Sequence, residues 1–249
     1  MFSQIDFSAL QWLMMLGGTA VIGMSKAGIK GIDMLNVTLM ALVFGGKAST
    51  GVVLPLLCLA DIFAIFYYKR HVQWEHFWKL LPPMFVGVVL GVYIGKDVDE
   101  RVFKKIMAVI IVLTVIIMLV LEKAKDLKVP KGYKFSTFMG LVSGVATMLG
   151  NLAGAFSNIY FLALRMSKND FIGTAAWVFL VINLSKVPFQ IFTWKNIDVS
   201  TLSIDLYLIP ALIVGFFIGV KLVGKINEVL FRRMILALTF LGGILIFIN

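Results

Sequence analysis

The chain has 249 residues, of which 60% are hydrophobic and 14% are charged. A soluble globular domain averages about 45–50% apolar and about 25% charged residues, so this composition excludes a soluble fold. The net charge is +10, but the Lys and Arg residues lie in short clusters between apolar runs, where they set membrane topology and meet anionic lipid. We therefore predict an all-α polytopic membrane protein whose partners include membrane lipid and no nucleic acid.

Apolar runs follow one another along the whole chain. All are predicted to be helices, because an open strand cannot satisfy its backbone hydrogen bonds in lipid. A spanning helix needs about 20 residues, so the short runs 34–45 and 152–164, which adjoin glycine-rich stretches, are expected to be broken or re-entrant segments. The ten runs fall near residues 8–24, 34–45, 50–68, 80–95, 104–121, 135–150, 152–164, 171–193, 206–223 and 232–248.

The second half of the chain repeats residues of the first half in the same order. At an offset of 122 residues, Asn36 corresponds to Asn158. At an offset of 128, an ordered series recurs: Pro82, Gly87, Gly91, Glu100 and Phe103 correspond to Pro210, Gly215, Gly219, Glu228 and Phe231. We therefore predict two homologous transmembrane halves, 1–125 and 133–249, joined by a basic linker at 126–132.

The distribution of basic residues indicates how the halves are oriented. Five crossings per half place most loop Lys and Arg residues on one side of the membrane, whereas four crossings divide them more evenly. The positive-inside rule favours the uneven division. We therefore expect about five helical segments per half, inverted halves and both termini outside.

Inverted repeats with broken helices at matching positions are typical of secondary transporters, which bind substrate near the bilayer midplane between the repeats. Helix N-termini at such breaks favour anions. The two breaks contain the polar residues Ser25, Lys26, Lys30, Asp33 and Asn36 in the first half and Thr147, Asn151, Ser157 and Asn158 in the second. Of these we take Ser25, Lys26, Asn36, Asn151 and Asn158 as candidate substrate-binding residues. The alternative is that the glycines only allow close packing and the polar groups only cap helix ends.

Three further polar residues lie deep inside apolar runs: Asp61, Asn183 and Lys186. A charge at the bilayer centre costs about 2.5–3.5 kcal/mol on insertion scales, so it is a functional candidate by default. We assign Asn183 and Lys186 to the anion site, and Asp61 with Asp33 to coupling by a co-transported proton or sodium ion. The alternative is an internal Asp–Lys pair that only joins the two halves.

Several other features have structural explanations. Gly87, Gly91 and Gly95 form a small-residue stripe that is expected to pack within the molecule. The single cysteine, Cys58, lies inside an apolar run and is expected to be a small buried apolar group. No metal-ligand motif or phosphate loop occurs in the sequence, so we predict no metal site and no cofactor.

Several motifs, taken in order, resemble the sulfite exporter TauE/SafE family, also called the toluene-sulfonate uptake permeases. They are the glycine-rich segment Gly23–Gly28, the Leu81–Pro83 motif, the segment Ser167–Thr174 and the segment Asn183–Pro188. The resemblance covers nearly the whole chain. It implies a transporter of sulfite, organosulfonates or related small anions in the bacterial inner (plasma) membrane, driven by an ion gradient or by the membrane potential, with both predicted outer termini periplasmic.

We therefore predict a non-enzymatic secondary transporter or exporter of small sulfur-containing anions, working by alternating access with its anion site at the repeat interface. Two alternatives come from other classes. A membrane-embedded enzyme would use Asp33 and Asp61 and needs these carboxylates close together. An anion channel would show transport rates too high for a rocking site and no counterflow.

Overall fold

A computed structural model describes residues 7–30, 32–123 and 132–227, together with residues 229, 230, 233 and 237. Within these residues the chain is all-helical, as predicted. The helices are α1 (Ala9–Lys26), α2 (Asp33–Phe44), α3 (Gly46–Tyr68), α4 (Trp74–Lys96), α5 (Glu100–Lys123), α6 (Tyr133–Gly150), α7 (Ala153–Ala163), α8 (Lys168–Pro188) and α9 (Val199–Lys225). The predicted run 232–248 and most of the linker lie outside the described residues.

Four of the described helices are long and apolar enough to cross a membrane. They are Gly46–Tyr68, Trp74–Lys96, Lys168–Thr193 and Val199–Lys225. The third of these continues α8 through a π-helical turn, Phe189–Thr193. These helices make the protein a multi-pass membrane protein.

Both predicted short segments are present as helices. α2 has 12 residues and α7 has 11, which gives each a length of about 16–18 Å, well short of the bilayer core of about 30 Å. A left-handed residue precedes each of them: Gly28 has φ 123° and Asn151 has φ 56°. At these points the chain leaves α1 and α6, and each short helix begins within the bundle.

The long helices pack against one another in three pairs. α4 lies along α6 and α1 lies along α9, with α3 against α8 between them, and the largest cluster of buried apolar side chains lies among α4, α6, α7 and α8. A Cβ at Gly215 would lie 2.1 Å from the Ala20 carbonyl oxygen, and one at Gly144 would lie 2.0 Å from that of Met84. Only glycine permits backbones to approach this closely.

The glycine stripe on α4 packs within the molecule, as predicted. Gly87 lies against α6 at Gly144, and Gly91 lies against Met148 on the same helix. Gly95 meets the ring of Trp194, which follows the π-helical turn. This surface of α4 is therefore occupied by the chain itself.

The contacts within each pair give the helix directions. Gly215 lies against Ala20, and four residues later Gly219 lies against Met24, so α1 and α9 run parallel. The α4–α6 pair runs parallel in the same way. By contrast, α3 and α8 run antiparallel.

Two hydrogen bonds show the antiparallel arrangement of α3 and α8. Gln190 Nε2 donates to Thr50 Oγ1 at 3.0 Å, and Asn183 Nδ2 donates to Asp61 Oδ2 at 2.8 Å. The second contact joins two residues that correspond in the sequence repeat, because they are 122 positions apart.

Apart from the two helix breaks, contacts between connecting segments mark two ends of the bundle. At one end, Lys47 Nζ donates to the Lys96 carbonyl oxygen at 2.7 Å, and Asn196 Nδ2 donates to the Lys47 carbonyl oxygen at 3.0 Å. At the other end, the Gln73 backbone N–H donates to Thr174 Oγ1 at 2.9 Å.

Candidate functional site

A polar cavity lies where the two helix breaks meet α3 and α8. It measures about 30 Å³, and since one water molecule needs about 10–15 Å³, it has room for a few waters or one small ion. The first residues of both short helices, Asp33 and Ala153, form part of its wall. The polar side chains that line it belong to Ser25, Lys26, Lys30, Asp33, Asn36, Thr147, Asn151 and Asn183.

A buried ion pair supports one wall of the cavity. Lys26 Nζ lies 2.7 Å from Asp61 Oδ1, and the Asp61 side chain is fully buried. Asn183 Nδ2 donates to the other carboxylate oxygen at 2.8 Å. These two partners compensate a negative charge on Asp61, and this cluster joins α1, α3 and α8.

Lys186 lies directly behind the cavity wall and is 0% exposed. Its ammonium group donates to Asn151 Oδ1 at 2.6 Å, Thr147 Oγ1 at 3.1 Å and Asn183 Oδ1 at 3.4 Å. All three acceptors are neutral, and no carboxylate of the described residues lies within ion-pair distance of it. A buried charge without a counter-charge is costly, so an anion in the cavity would stabilise it.

A third buried lysine, Lys30, lies in the break between α1 and α2 and is 3% exposed. Its ammonium group is 5.8 Å from the centroid of the Phe179 ring, and that of Lys26 is 4.7 Å from the same centroid. The face of an aromatic ring attracts cations. Phe179 therefore helps to hold two ammonium groups at the cavity.

The second carboxylate of the cavity belongs to Asp33, whose Oδ1 accepts a hydrogen bond from Ser25 Oγ at 2.8 Å. Together with Asp61, it sets two negative charges against the three buried lysines. Counted at their formal charges, these five side chains carry an excess of one positive charge. A buried site of this charge favours an anion over a cation or a neutral molecule.

Two asparagines offer unused acceptors near this cluster. Asn36 and Asn158 are each 2% exposed, and within the part of the chain that the structure describes their Oδ1 atoms have no hydrogen-bond partner. A buried polar atom without a partner calls for a further ligand. Because these atoms are acceptors, they fit water or a co-transported cation rather than the anion itself.

The structure brings all nine predicted site residues together, although their roles stay predictions. Six of them line the cavity: Ser25, Lys26, Asp33, Asn36, Asn151 and Asn183. Three lie next to its wall: Asp61, Asn158 and Lys186. Lys30 and Thr147, which the sequence places at the breaks without a predicted role, also line the cavity, and so does Phe179, which was not predicted.

A chain of hydrogen bonds leads from the cavity to one end of the bundle. Asn151 Nδ2 donates to the Thr50 carbonyl oxygen at 3.0 Å, and Thr50 Oγ1 accepts from Gln190 at 3.0 Å. Asn196 then donates to Gln190 Oε1 at 3.1 Å. The π-helical turn points Gln190 inward, where it is 0% exposed. We did not predict this chain from the sequence.

The enzyme hypothesis needs Asp33 and Asp61 to act as a pair. In the structure Asp61 binds Lys26 and Asn183, while Asp33 accepts a hydrogen bond from Ser25. Across the described residues, no group of three or more His, Cys, Asp or Glu side chains could hold a metal ion.

Broken helices around a buried, lysine-rich cavity in a multi-pass bundle are features found in membrane transporters. The family model described as sulfite exporter TauE/SafE matches residues 11–246. The chain therefore belongs to this family of membrane transporters, as its motifs predict. No curated protein and no solved structure matches the chain.

Proposed function

We propose that the protein is a secondary transporter of small sulfur-containing anions, of the sulfite or organosulfonate class, which binds its substrate in the cavity described above. The observation that carries this proposal is the charge of the site: three buried lysines face two carboxylates. One bound monovalent anion would neutralise the cluster. Membership of a sulfur-anion transporter family makes such an anion the expected cargo.

The backbone adds to this preference for anions. α2 and α7 both begin at the cavity wall, and the first N–H groups of a helix have no partner inside it. Together with the helix dipole, these N–H groups favour a negative charge. The substrate would therefore contact one short helix from each half of the chain.

The packing of the helices supports two inverted repeats, 1–125 and 133–249, joined by the linker 126–132. Exchanging the halves turns the α1–α9 pair into the α6–α4 pair, and both pairs are parallel. The same exchange replaces α3 by α8 and α8 by α3, and these two helices are antiparallel to each other. Alternating access then requires one half to rock against the other around the cavity.

The membrane potential bears on the direction of transport. We place the protein in the bacterial inner membrane with periplasmic termini, so the basic loops face a negative interior. Each negative charge that leaves this interior gains about 2.3 kcal/mol per 100 mV. Export therefore needs no coupling ion, whereas uptake needs a co-transported proton or sodium ion.

Transport into proteoliposomes tests this proposal. The panel consists of sulfite, thiosulfate, sulfate, taurine, sulfoacetate and acetate, each with and without proton, sodium and potential gradients. We expect saturable uptake and counterflow of one sulfur anion. Counterflow separates a carrier from a channel, and uptake of no sulfur anion by folded protein would refute the proposal.

A matched pair of variants locates the anion site. Lys30→Met removes a cavity charge, whereas Lys225→Met removes an exposed charge at the end of α9. We expect Lys30→Met to raise the KM for the transported anion about tenfold and Lys225→Met to leave it unchanged. Equal KM values for the two variants would place the anion elsewhere.

A further inference from the structure

Asp205 lies on the buried face of α9, away from the cavity, and the transport function proposed above does not use it. The residue is 4% exposed, and neither carboxylate oxygen has a hydrogen-bond partner among the described residues. Its neighbours Ile204 and Leu208 belong to an apolar cluster with Met15 and Leu56. Asp205 is therefore a carboxyl group in apolar surroundings.

The elements around Asp205 supply no charged partner. α1 carries Lys26 and α2 carries Asp33; α3 carries Lys47, Cys58, Asp61, Tyr67 and Tyr68; α9 carries Tyr207, Lys221 and Lys225 and is preceded by Asp198. Among the described residues none of these groups forms an ion pair or a hydrogen bond with Asp205.

The nearest of these groups along the bundle are occupied elsewhere. The Lys47 ammonium group binds the Lys96 carbonyl oxygen and lies over the Trp194 ring. Asp198 accepts a hydrogen bond from the Thr201 backbone N–H in the first turn of α9. Lys26 lies near the level of residue 221, because Met24 packs against Gly219, which places it about 24 Å along α9 from Asp205.

The surroundings of Asp205 and Asp61 therefore favour different protonation states of the carboxyl group. Asp61 has the Lys26 ammonium group and the Asn183 amide as partners, which compensate a negative charge. Asp205 has neither. A carboxylate buried without a cation or donor is far costlier than a neutral carboxyl group, so such a group takes up a proton.

Asp205 lies near one end of the bundle, between helices of the two predicted halves, where an opening would expose it. Asp205 lies six residues into α9, about 9 Å from its N-terminus, at the end of the molecule where Asn196 contacts Lys47. α9 and its neighbour α1 belong to different predicted halves. In the register of 128 residues, the counterpart of Asp205 is Phe77, a buried apolar residue on α4, so the repeat does not place a carboxyl group at the equivalent position of the other half.

We propose that Asp205 is a proton-binding site that controls the opening of the α1–α9 interface. The carboxyl group holds a proton while α9 packs against α1 and α3, and it releases that proton when the interface admits water. Opening at this end is therefore favoured by a higher pH on that side of the membrane, and closure by a lower pH. The role of Asp205 in transport rests on the proposed function, but the two experiments that test it do not.

Infrared titration of the purified protein in lipid tests proton binding. We expect the C=O stretching band of a protonated carboxyl group at neutral pH in the unaltered protein and its loss in Asp205→Asn. Glu75→Gln, which removes an exposed carboxylate paired with Lys79, should keep the band. A band that persists in folded Asp205→Asn, or no band in either protein, would overturn the proposal.

Thiol labelling tests the control of opening. In a Cys58→Ser background, Leu208→Cys places a reporter on the buried face of α9, and a membrane-impermeant methanethiosulfonate reagent measures its access. The same reporter is also measured with Asp205→Asn, where the pH dependence of the thiol itself is unchanged. Dividing the labelling rate with Asp205 by the rate with Asp205→Asn therefore isolates the effect of Asp205 on access. We expect this ratio to rise several-fold as the external pH is raised.

A constant ratio would overturn the proposal, since the interface would then open independently of the proton on Asp205. Neither readout requires a transported substrate. If no sulfur anion moves in proteoliposomes, the proposed function fails while infrared and labelling results still decide on Asp205. The unfolding temperature of Asp205→Asn serves as the check on folding. Because the amide has nearly the same shape as the carboxyl group, we expect this temperature to lie within a few degrees of that of the unaltered protein.

Discussion

At the scale of single residues, the three lysines of the site differ in what balances their charge. Lys26 has the Asp61 carboxylate at 2.7 Å. Lys30 lies near the face of the Phe179 ring. Lys186 has only hydroxyl and amide acceptors, among them Asn151. The charge that remains for a ligand is therefore chiefly that of Lys30 and Lys186.

Lys186→Met should weaken anion binding without removing any group from the cavity lining. At a distance of several ångströms and an effective dielectric constant of about 20, one charge is worth on the order of 2–3 kcal/mol, so the KM for the transported anion should rise by about tenfold or more. Lys79→Met, at an exposed ion pair, is the control. An unchanged KM in Lys186→Met would remove this residue from the site.

The pair of Lys26 and Asp61 should show strong coupling in stability. Breaking a buried pair by removing one partner costs about 3–5 kcal/mol, because the other charge is left uncompensated. We therefore expect Asp61→Asn and Lys26→Met each to lower the free energy of unfolding by about that amount. The double variant should recover most of the loss. Additive losses in a double-mutant cycle, measured by denaturation in detergent, would contradict a direct interaction.

The sequence predicts some of these residues and misses others for physical reasons. Asp61 and Lys186 interrupt long apolar runs, so their cost in lipid identifies them. Asp205 stands just before the predicted run 206–223, beside Ser200 and Ser203, and a polar segment of this kind indicates a loop. Only the structure shows that α9 begins at Val199 and buries this carboxyl group.

At the scale of helices, close backbone contact depends on particular glycines. Gly215 on α9 meets the backbone of Ala20 on α1, whereas Gly224 on the same helix has nothing within 4 Å of an added Cβ. The two glycines share a helix and differ in their surroundings. They therefore separate the effect of packing from that of helix propensity.

Gly215→Ala should destabilise the protein, because its methyl group would lie 2.1 Å from the Ala20 carbonyl oxygen and force α1 and α9 apart. Overpacking of this kind costs about 1–3 kcal/mol or more. Gly224→Ala should be neutral or stabilise by up to about 1 kcal/mol, since alanine favours helix. Thermal unfolding in detergent measures both. Equal unfolding temperatures would mean that this contact is unimportant.

The two helix breaks were predicted because glycine and short apolar length are local properties of the sequence. Their meeting at one cavity was predicted only through the repeat. The chain from Asn151 through Thr50 to Gln190 could not be predicted, because it depends on the π-helical turn that rotates Gln190 inward. A turn of this kind follows from tertiary packing and leaves no clear pattern in the sequence.

At the scale of the whole molecule, the charged loops divide between two ends of the bundle. Lys47, Lys96 and Asn196 mark one end, and Gln73 with Thr174 marks the other. The end with more basic loops is the one that we place inside the cell. The membrane potential then acts along the axis that joins the two ends.

Cysteine labelling should reveal this orientation. In a Cys58→Ser background, a membrane-impermeant thiol reagent applied to intact cells should label Asp97→Cys and Lys195→Cys. Lys69→Cys and Lys134→Cys should react only after the cells are permeabilised. All four positions are exposed, so access to the reagent decides the result. Labelling in the opposite order would reverse the proposed orientation, and labelling of all four would contradict the inverted halves.

The chain contains one cysteine, Cys58, which is buried in α3. Nucleophiles attack disulfide sulfur atoms, and sulfite is a sulfur nucleophile that cleaves disulfides in this way. A chain with a single cysteine has no internal disulfide to lose. The proposed transporter can therefore carry a nucleophilic sulfur anion through its centre without losing a disulfide of its own to it.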